Sequence, residues 1–213
     1  MSWLVRITIL ALLVAGVAWF DHSRKSRPSR VDVATKNNIL LLSNGTEVES
    51  LDPHLTTGVP EHFVISAIFE GLAAPLPDHP DGDGPGAAAS WEHSPDYTQW
   101  TFHLQPEGRW SDGKPVTADD FIYGFKRILS PRIASEYASM LYPLKNAQAF
   151  NEGKITDFAQ VGAEAADDLT LKLTLAGPTP YLPGMTKHYS WFPVPRHVIE
   201  RFGEMTERDT KWT

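Results

Sequence analysis

The sequence predicts an α+β fold, and three stretches carry that prediction: a strand at Trp100 to Leu104, a capped helix that follows Thr117, and a second strand at Leu169 to Leu175. Trp100, Phe102 and Leu104 alternate with Thr101 and His103. Leu169, Leu171, Leu173 and Leu175 alternate in the same way with Thr170, Lys172 and Thr174. This period of two marks a strand with one buried face. Between the two strands, Thr117 stands where a helix N-cap belongs, with Asp119 and Asp120 in the first turn and Lys126 and Arg127 in the last. That charge order complements the helix dipole. Phe121, Phe125, Ile128 and Leu129 supply the apolar stripe, and Pro131 closes the helix.

The remaining elements follow along the chain. Ile7 to Phe20 is almost wholly apolar and is preceded by Arg6, the pattern of an export segment and not of a core helix, because it has no polar face. Its fourteen residues suit a signal-peptide core. A spanning helix needs about 20, reached here only by counting from Trp3. Gly16 and Ala18 offer small side chains for cleavage, whereas Trp19, Phe20 and the basic cluster of Arg24, Lys25, Arg27 and Arg30 fit a retained anchor equally well. Residues 1–20 are therefore a signal peptide or an N-terminal membrane anchor, and residues 21–37 a polar, basic tether.

Ile39 to Leu42 is a short apolar run fit for a buried strand, stopped by Ser43, Asn44 and Gly45. A helix is predicted from Pro60 with a stripe of Phe63, Val64, Ala67 and Ile68, ended by Gly71. The proline- and glycine-rich stretch from Pro75 to Gly86 reads as an exposed loop. Pro106-Glu107-Gly108 and Ser111-Asp112-Gly113 read as tight turns. Ala138 to Phe150 is helical in part. Val161 to Ala165 pairs with the leucine strand through a hairpin at Asp167 and Asp168. A short helix runs from Pro195 to Phe202.

Composition narrows the chemistry. With 213 residues and 42% hydrophobic content the chain can bury a real core. A net charge of -7 leaves no footprint for a phosphate backbone, so no nucleic-acid partner is expected. There is no cysteine, which rules out disulfides, thiolate chemistry and lipid attachment through an N-terminal cysteine. The eight histidines show no H-x-x-x-H or H-E-x-x-H spacing and are read as surface or hydrogen-bonded groups. No G-x-S-x-G elbow occurs, and Gly82, Gly84 and Gly86 are interrupted by aspartate and proline, which repel phosphate. Asp119 and Asp120 are explained by the dipole and not as paired acids. Seven tryptophans raise carbohydrate stacking, but Trp100 and Trp110 are better placed as core or turn anchors. No catalytic residue, metal site or cofactor is expected.

One block is less generic than its parts. W-T-F-H-L-Q-P-E-G-R-W-S-D-G-K-P-V-T-A-D-D-F, from Trp100 to Phe121, resembles the signature region of the extracytoplasmic solute-binding proteins of family 5, which serve oligopeptide and dipeptide ABC importers. N-G-T-E-V-E-S-L-D-P-H (Asn44 to His54), F-E-G-L (Phe69 to Leu72), A-S-E-Y-A-S-M-L (Ala134 to Leu141) and P-V-P (Pro193 to Pro195) agree with it in order. The joint match is specific although each piece alone is weak. The resemblance implies an α+β two-lobed clamp of the periplasmic binding protein type (class II, dipeptide/oligopeptide-binding), incomplete here: a first lobe with an inserted smaller subdomain. Residues 38–213 are its N-terminal part, with 38–70 and 196–213 as large-lobe pieces and 71–195 as an inserted smaller subdomain. Full-length relatives are much longer, so the ending T-K-W-T reads as the middle of the family pattern.

The resemblance also implies a function: capture of short peptides outside the cytoplasmic membrane by a monomer, and delivery to an ABC permease, without covalent chemistry. In oligopeptide members the segment after S-L-D-P-H runs beside the ligand and pairs with its main chain as an added strand. This places backbone contacts at Thr57, Gly58 and Val59. Tyr137 matches a position that offers a hydroxyl toward the peptide, and is equally readable as a partly buried aromatic. Some oligopeptide binders carry an acid where Thr57 stands, so the peptide length preference is left open. The alternatives are another solute on the same fold (nickel, sugar or haem), a membrane-tethered interaction module without transport, and a metal-dependent hydrolase, against which the missing ligand spacing counts.

Overall fold

The computed structural model describes residues 3–25, 28–79, 81–203 and 212. The chain divides into two compact units, Met1–Gly45 and Thr46–Thr213.

The first unit contains helix α1 (Trp3–Lys25) and helix α2 (Arg30–Lys36). The side chains of α1 that are described are exposed along its length, so the helix buries no stripe of its own. Its window Val5–His22 is long and apolar enough to cross a membrane by length and composition. The helix extends beyond the fourteen-residue apolar run on both sides. α2 lies within the stretch read as a tether and is fixed by a capping box. The Asp32 N–H donates to Ser29 Oγ at 3.0 Å, and the Ser29 N–H donates to Asp32 Oδ2 at 2.9 Å.

Residues 39–42 correct the sequence reading. Ile39, Leu40, Leu41 and Leu42 are exposed and form no strand, Leu42 being 84% exposed. An apolar run becomes a strand only where a neighbouring strand supplies ladder partners, and both sheets of the described residues are built elsewhere.

The second unit begins with helix α3 (Val59–Ile68), followed by strands β1 (Ala73–Pro75), β2 (Asp83–Pro85), β3 (Ala88–His93) and β4 (Gln99–Leu104), and helix α4 (Ala118–Ile128). After these come α5 (Ala147–Asn151), β5 (Ala163–Asp167), β6 (Thr170–Thr174), α6 (Leu182–Met185) and α7 (Arg196–Phe202), with single 3-10 turns at Ala138–Leu141, Phe158–Gln160 and Tyr189–Trp191. β1 and β2 pair as a small antiparallel ribbon, with β2 inside the stretch from Pro75 to Gly86 expected to be loop and β1 ending at its first residue. The main sheet is antiparallel in the order β3-β4-β6-β5.

Trp100, Phe102 and Leu104 of β4 and Leu171 and Leu173 of β6 point into one core. The β5-β6 hairpin pairs Ala163 with Leu173 and Ala165 with Leu171, as the alternation predicts. α4 covers this face with Phe121, Phe125 and Ile128, all fully buried. Its start is fixed from three sides. The Thr117 N–H donates to Asp120 Oδ2 at 3.0 Å, Trp110 Nε1 donates to the same oxygen at 3.1 Å, and the Ala118 N–H donates to the Asp168 carbonyl at 2.8 Å. Trp110 is thus a turn anchor and Trp100 a core residue.

Gly71 and Thr186 make a tight crossing. A Cβ at Gly71 would lie 2.0 Å from the Thr186 carbonyl oxygen, so only glycine lets these backbones touch. The Ala73 N–H donates to Thr186 Oγ1 at 3.2 Å across the same seam.

α3 departs from prediction in its orientation. Phe63, Ala67 and Ile68 are exposed, Val64 is half-buried, and the buried positions are Glu61 and Ile65. Ile65 packs with Tyr189 and Phe192. The helix ends at Ile68, before Gly71. Hydrophobicity marked one face, but the Tyr189–Phe192 cluster chose another.

Candidate functional site

The segment preceding α3 is held from below by a buried ion pair. Arg127, in the last turn of α4, donates from Nη2 to Asp52 Oδ2 at 2.6 Å and from Nη1 to Asp52 Oδ1 at 2.8 Å. Both side chains are almost entirely removed from solvent. Burial raises the Asp52 pKa, but the Arg127 hydrogen bonds and charge outweigh it and hold the carboxyl below its usual range. Trp212 Nε1 donates to Asp52 Oδ2 at 3.3 Å. Arg127 Nη1 also lies 3.1 Å from His54 Nδ1, which must accept, leaving His54 neutral with its proton on Nε2. Burial, then the Arg127 charge, push the His54 pKa down to about 3. Arg127, read from sequence as a surface cation complementing the dipole, is instead the partner of the S-L-D-P-H aspartate.

From this anchor the chain rises to the predicted site. The Leu55 N–H and Thr56 Oγ1 both bond the Asp52 carbonyl, at 3.1 and 3.3 Å, closing a tight turn. The Tyr189 hydroxyl then donates to the Thr56 carbonyl at 3.2 Å, and the Tyr137 hydroxyl to the Thr57 carbonyl at 3.4 Å. Thr57 and Val59 are exposed and Gly58 is half-buried. Among the described residues, the N–H groups of Thr57, Gly58 and Val59 meet no acceptor. An exposed main chain with free donors is what a pairing strand requires.

Gly58 is the N-cap of α3 and Pro60 occupies its first turn. A Cβ at Gly58 would stand 1.9 Å from Glu61 Oε2. The Glu61 carboxylate is occupied there, accepting the Glu49 N–H at 2.9 Å on Oε1. A side chain at this cap would have to displace the Glu61 carboxylate, whereas the Gly58 backbone angle suits any residue.

Beside the segment lies an aromatic and imidazole cluster that sequence reading did not assemble. Tyr137 meets His188 edge-on at 5.1 Å, and His188 stacks on Tyr189 at 4.2 Å. His62, from the first turn of α3, lies 6.4 Å from His188 and 5.6 Å from Tyr189. Burial, then the bond with Tyr137, raise the Tyr189 pKa, so its hydroxyl stays a donor. Burial, then the charge of His62, lower that of His188. The structure thus brings Thr57, Gly58, Val59 and Tyr137 into one patch and adds His62, His188 and Tyr189 to it. No local pattern could have signalled this, because His62 and His188 are far apart in sequence.

A separate cavity of about 740 Å³ is lined by Leu51, Phe69, Glu70, Trp110, Val198 and Trp212, among others. It includes none of the four predicted residues. Burial alone raises the Glu70 pKa there. Among the described residues no group of three or more His, Asp or Glu side chains is placed to hold a metal ion.

Comparison with known proteins gives these features a family. Residues 84–213 match the model of bacterial extracellular solute-binding proteins, family 5 Middle. The chain is 43% identical over 215 residues to the periplasmic oligopeptide-binding protein OppA of Escherichia coli (strain K12), covering 99% of this chain and 36% of that protein. It is 36% identical over 206 residues to the periplasmic murein peptide-binding protein MppA of the same organism, covering 95% of this chain and 37% of MppA. Among solved structures, Haemophilus influenzae OppA in complex with RPPGFSPFR aligns with a TM-score of 0.71 at 42% identity, covering 76% of this chain and 31% of that one. The chain spans about a third of the length of these curated relatives. The signature block, the mixed helix-and-sheet fold and these matches lead to one assignment: the chain belongs to the bacterial extracellular solute-binding proteins of family 5.

Proposed function

We propose that this chain is the N-terminal part of the substrate-binding component of an ABC importer, which captures short peptides outside the cytoplasmic membrane and hands them to the permease. The observation that carries this reading is the exposed main chain of Thr57, Gly58 and Val59, with free N–H groups beside the hydroxyls of Tyr137 and Tyr189. Main-chain hydrogen bonds are common to all peptides, so such a surface suits a ligand of varied sequence. The relatives named for oligopeptide and murein peptide binding support the same solute class. The periplasmic location in their names, with the apolar N-terminal helix, supports export of this chain.

In this reading residues 1–20 direct export, as a cleaved signal or a retained anchor, and 21–37 link them to the binding domain. Residues 38–70 and 196–213 belong to a large lobe and 71–195 to an inserted subdomain; of these, 80, 204–211 and 213 lie outside the described residues. The protein works as a monomer that closes around its ligand by a hinge, forms no covalent intermediate and needs no cofactor. Isothermal calorimetry on the chain in detergent, with mixed tri- to pentapeptides, is the direct test. Heat with peptides supports the proposal. Silence with peptides and heat with nickel, a sugar or haem would replace it by another branch of the family.

A further inference from the structure

The patch beside Thr57 holds two histidines whose chemistry the capture of a peptide main chain does not use. His188 is constrained in its tautomer. Its Nδ1 accepts the Ser190 N–H at 3.2 Å and lies 2.9 Å from Ser190 Oγ, so the neutral ring carries its proton on Nε2. That Nε2 and both nitrogens of His62 meet no hydrogen-bond partner among the described residues. The two rings are nearly parallel, with 25° between their planes at 6.4 Å, and both residues are half-buried.

One carboxylate lies near this pair: Glu61 on α3, which accepts the Glu49 N–H on Oε1 and whose charge is felt at Tyr189. Tyr137 and Tyr189 face His188 as neutral phenols. Lys187, next to His188 in the chain, is paired with Asp83 at 3.0 Å. Thr57 is uncharged. A second proton on His188 is opposed by partial burial and by the neighbouring His62, and an incoming anion would offset that opposition.

We propose that His62 and His188 form a subsite that receives a carboxylate of the bound peptide, and that protonation of His188 accompanies binding. The proposal rests on the peptide-capture reading above. Its ligand chemistry is a carboxylate beside an extended main chain, supplied by an acidic side chain or by the peptide C-terminus. Because His188 gains a proton as the carboxylate arrives, affinity for that carboxylate rises as pH falls from 8 toward 5.5.

The test uses the 213-residue chain in detergent micelles, with imidazole resonances followed by NMR and assigned from His62→Gln and His188→Gln. The probes are Ala-Glu-Ala and Ala-Gln-Ala, each with a free and an amidated C-terminus, titrated to millimolar concentration at pH 5.5 and pH 8. For the acidic side chain, binding of Ala-Glu-Ala about tenfold tighter than Ala-Gln-Ala is expected at pH 5.5, narrowing to about twofold at pH 8. In His188→Gln the ratio of the Ala-Glu-Ala and Ala-Gln-Ala affinities at pH 5.5 should fall to about one. If amidation and not the Glu-to-Gln change removes the preference, the subsite stands and takes the C-terminal carboxylate. Equal binding of all four peptides at both pH values overturns the subsite and leaves peptide capture intact. Failure of all four to bind overturns both.

Discussion

Arg127 and Asp52 close on each other through two parallel hydrogen bonds of 2.8 and 2.6 Å in a space nearly shut off from water. This pair ties the last turn of α4 to the turn that launches the candidate binding segment, 75 residues earlier. Removing one partner strands a buried charge, a cost of about 3–5 kcal/mol. Arg127→Leu and Asp52→Asn should each lower stability by an amount in that range, read as a shift in the urea midpoint. The double variant should recover part of the loss. Additive losses would show that the two groups do not act as a pair.

His54 makes stability depend on pH. Its folded pKa is about 3 against an ordinary 6.5, so between those values the unfolded state holds the proton and the folded state does not. The contribution of His54 is complete above pH 6.5 and is lost as pH falls through the window down to about 3. One proton corresponds to a slope of up to about 1.4 kcal/mol per pH unit. Asp52, whose folded pKa is lowered, adds its own loss only at the acid end of that window. Urea midpoints at pH 7.5, 6 and 5 should fall accordingly, and His54→Asn should flatten the slope between pH 6 and 5. An unchanged slope would remove His54 from the account.

Gly58→Ala should destabilise the cap by about 1–3 kcal/mol, because the new methyl group must displace the Glu61 carboxylate that accepts the Glu49 N–H. In Glu61→Ala that obstacle is absent, so adding Gly58→Ala should cost much less. Thermal denaturation of the two single variants and the double variant measures this coupling directly.

Tyr137→Phe deletes an exposed 3.4 Å bond to the Thr57 carbonyl, and the stability loss should stay below about 1 kcal/mol. Its effect should show in peptide titration, where the freed Thr57 carbonyl and the missing hydroxyl alter the patch. A loss well above this value would assign Tyr137 to the core and not to the site.

What could be read in the sequence follows the range over which each signal acts. The leucine alternation of β6, the face of β4 and the charge order of α4 are local, and each is found in the predicted place. Residues 39–42 and the stripe on α3 were misjudged because burial there depends on what lies opposite, not on the hydrophobic pattern itself. Arg127 satisfied a local rule, the helix dipole, and so concealed a nonlocal one. In the candidate site, Thr57 to Val59 and Tyr137 came only through family resemblance. His62 and His188 needed the fold, since α3 and the Tyr189–Trp191 turn meet only in three dimensions.

The Gly71–Thr186 seam also bears on when the chain folds. The Ala73 N–H waits for a hydroxyl 113 positions further on, so the second unit cannot seal until nearly all of it has been made. Contacts of such sequence separation slow folding, because loop closure must precede any reward. In the export reading proposed above, a polypeptide that must pass a narrow secretory channel unfolded gains by this delay, since it is still a loose thread when its first residues reach that channel.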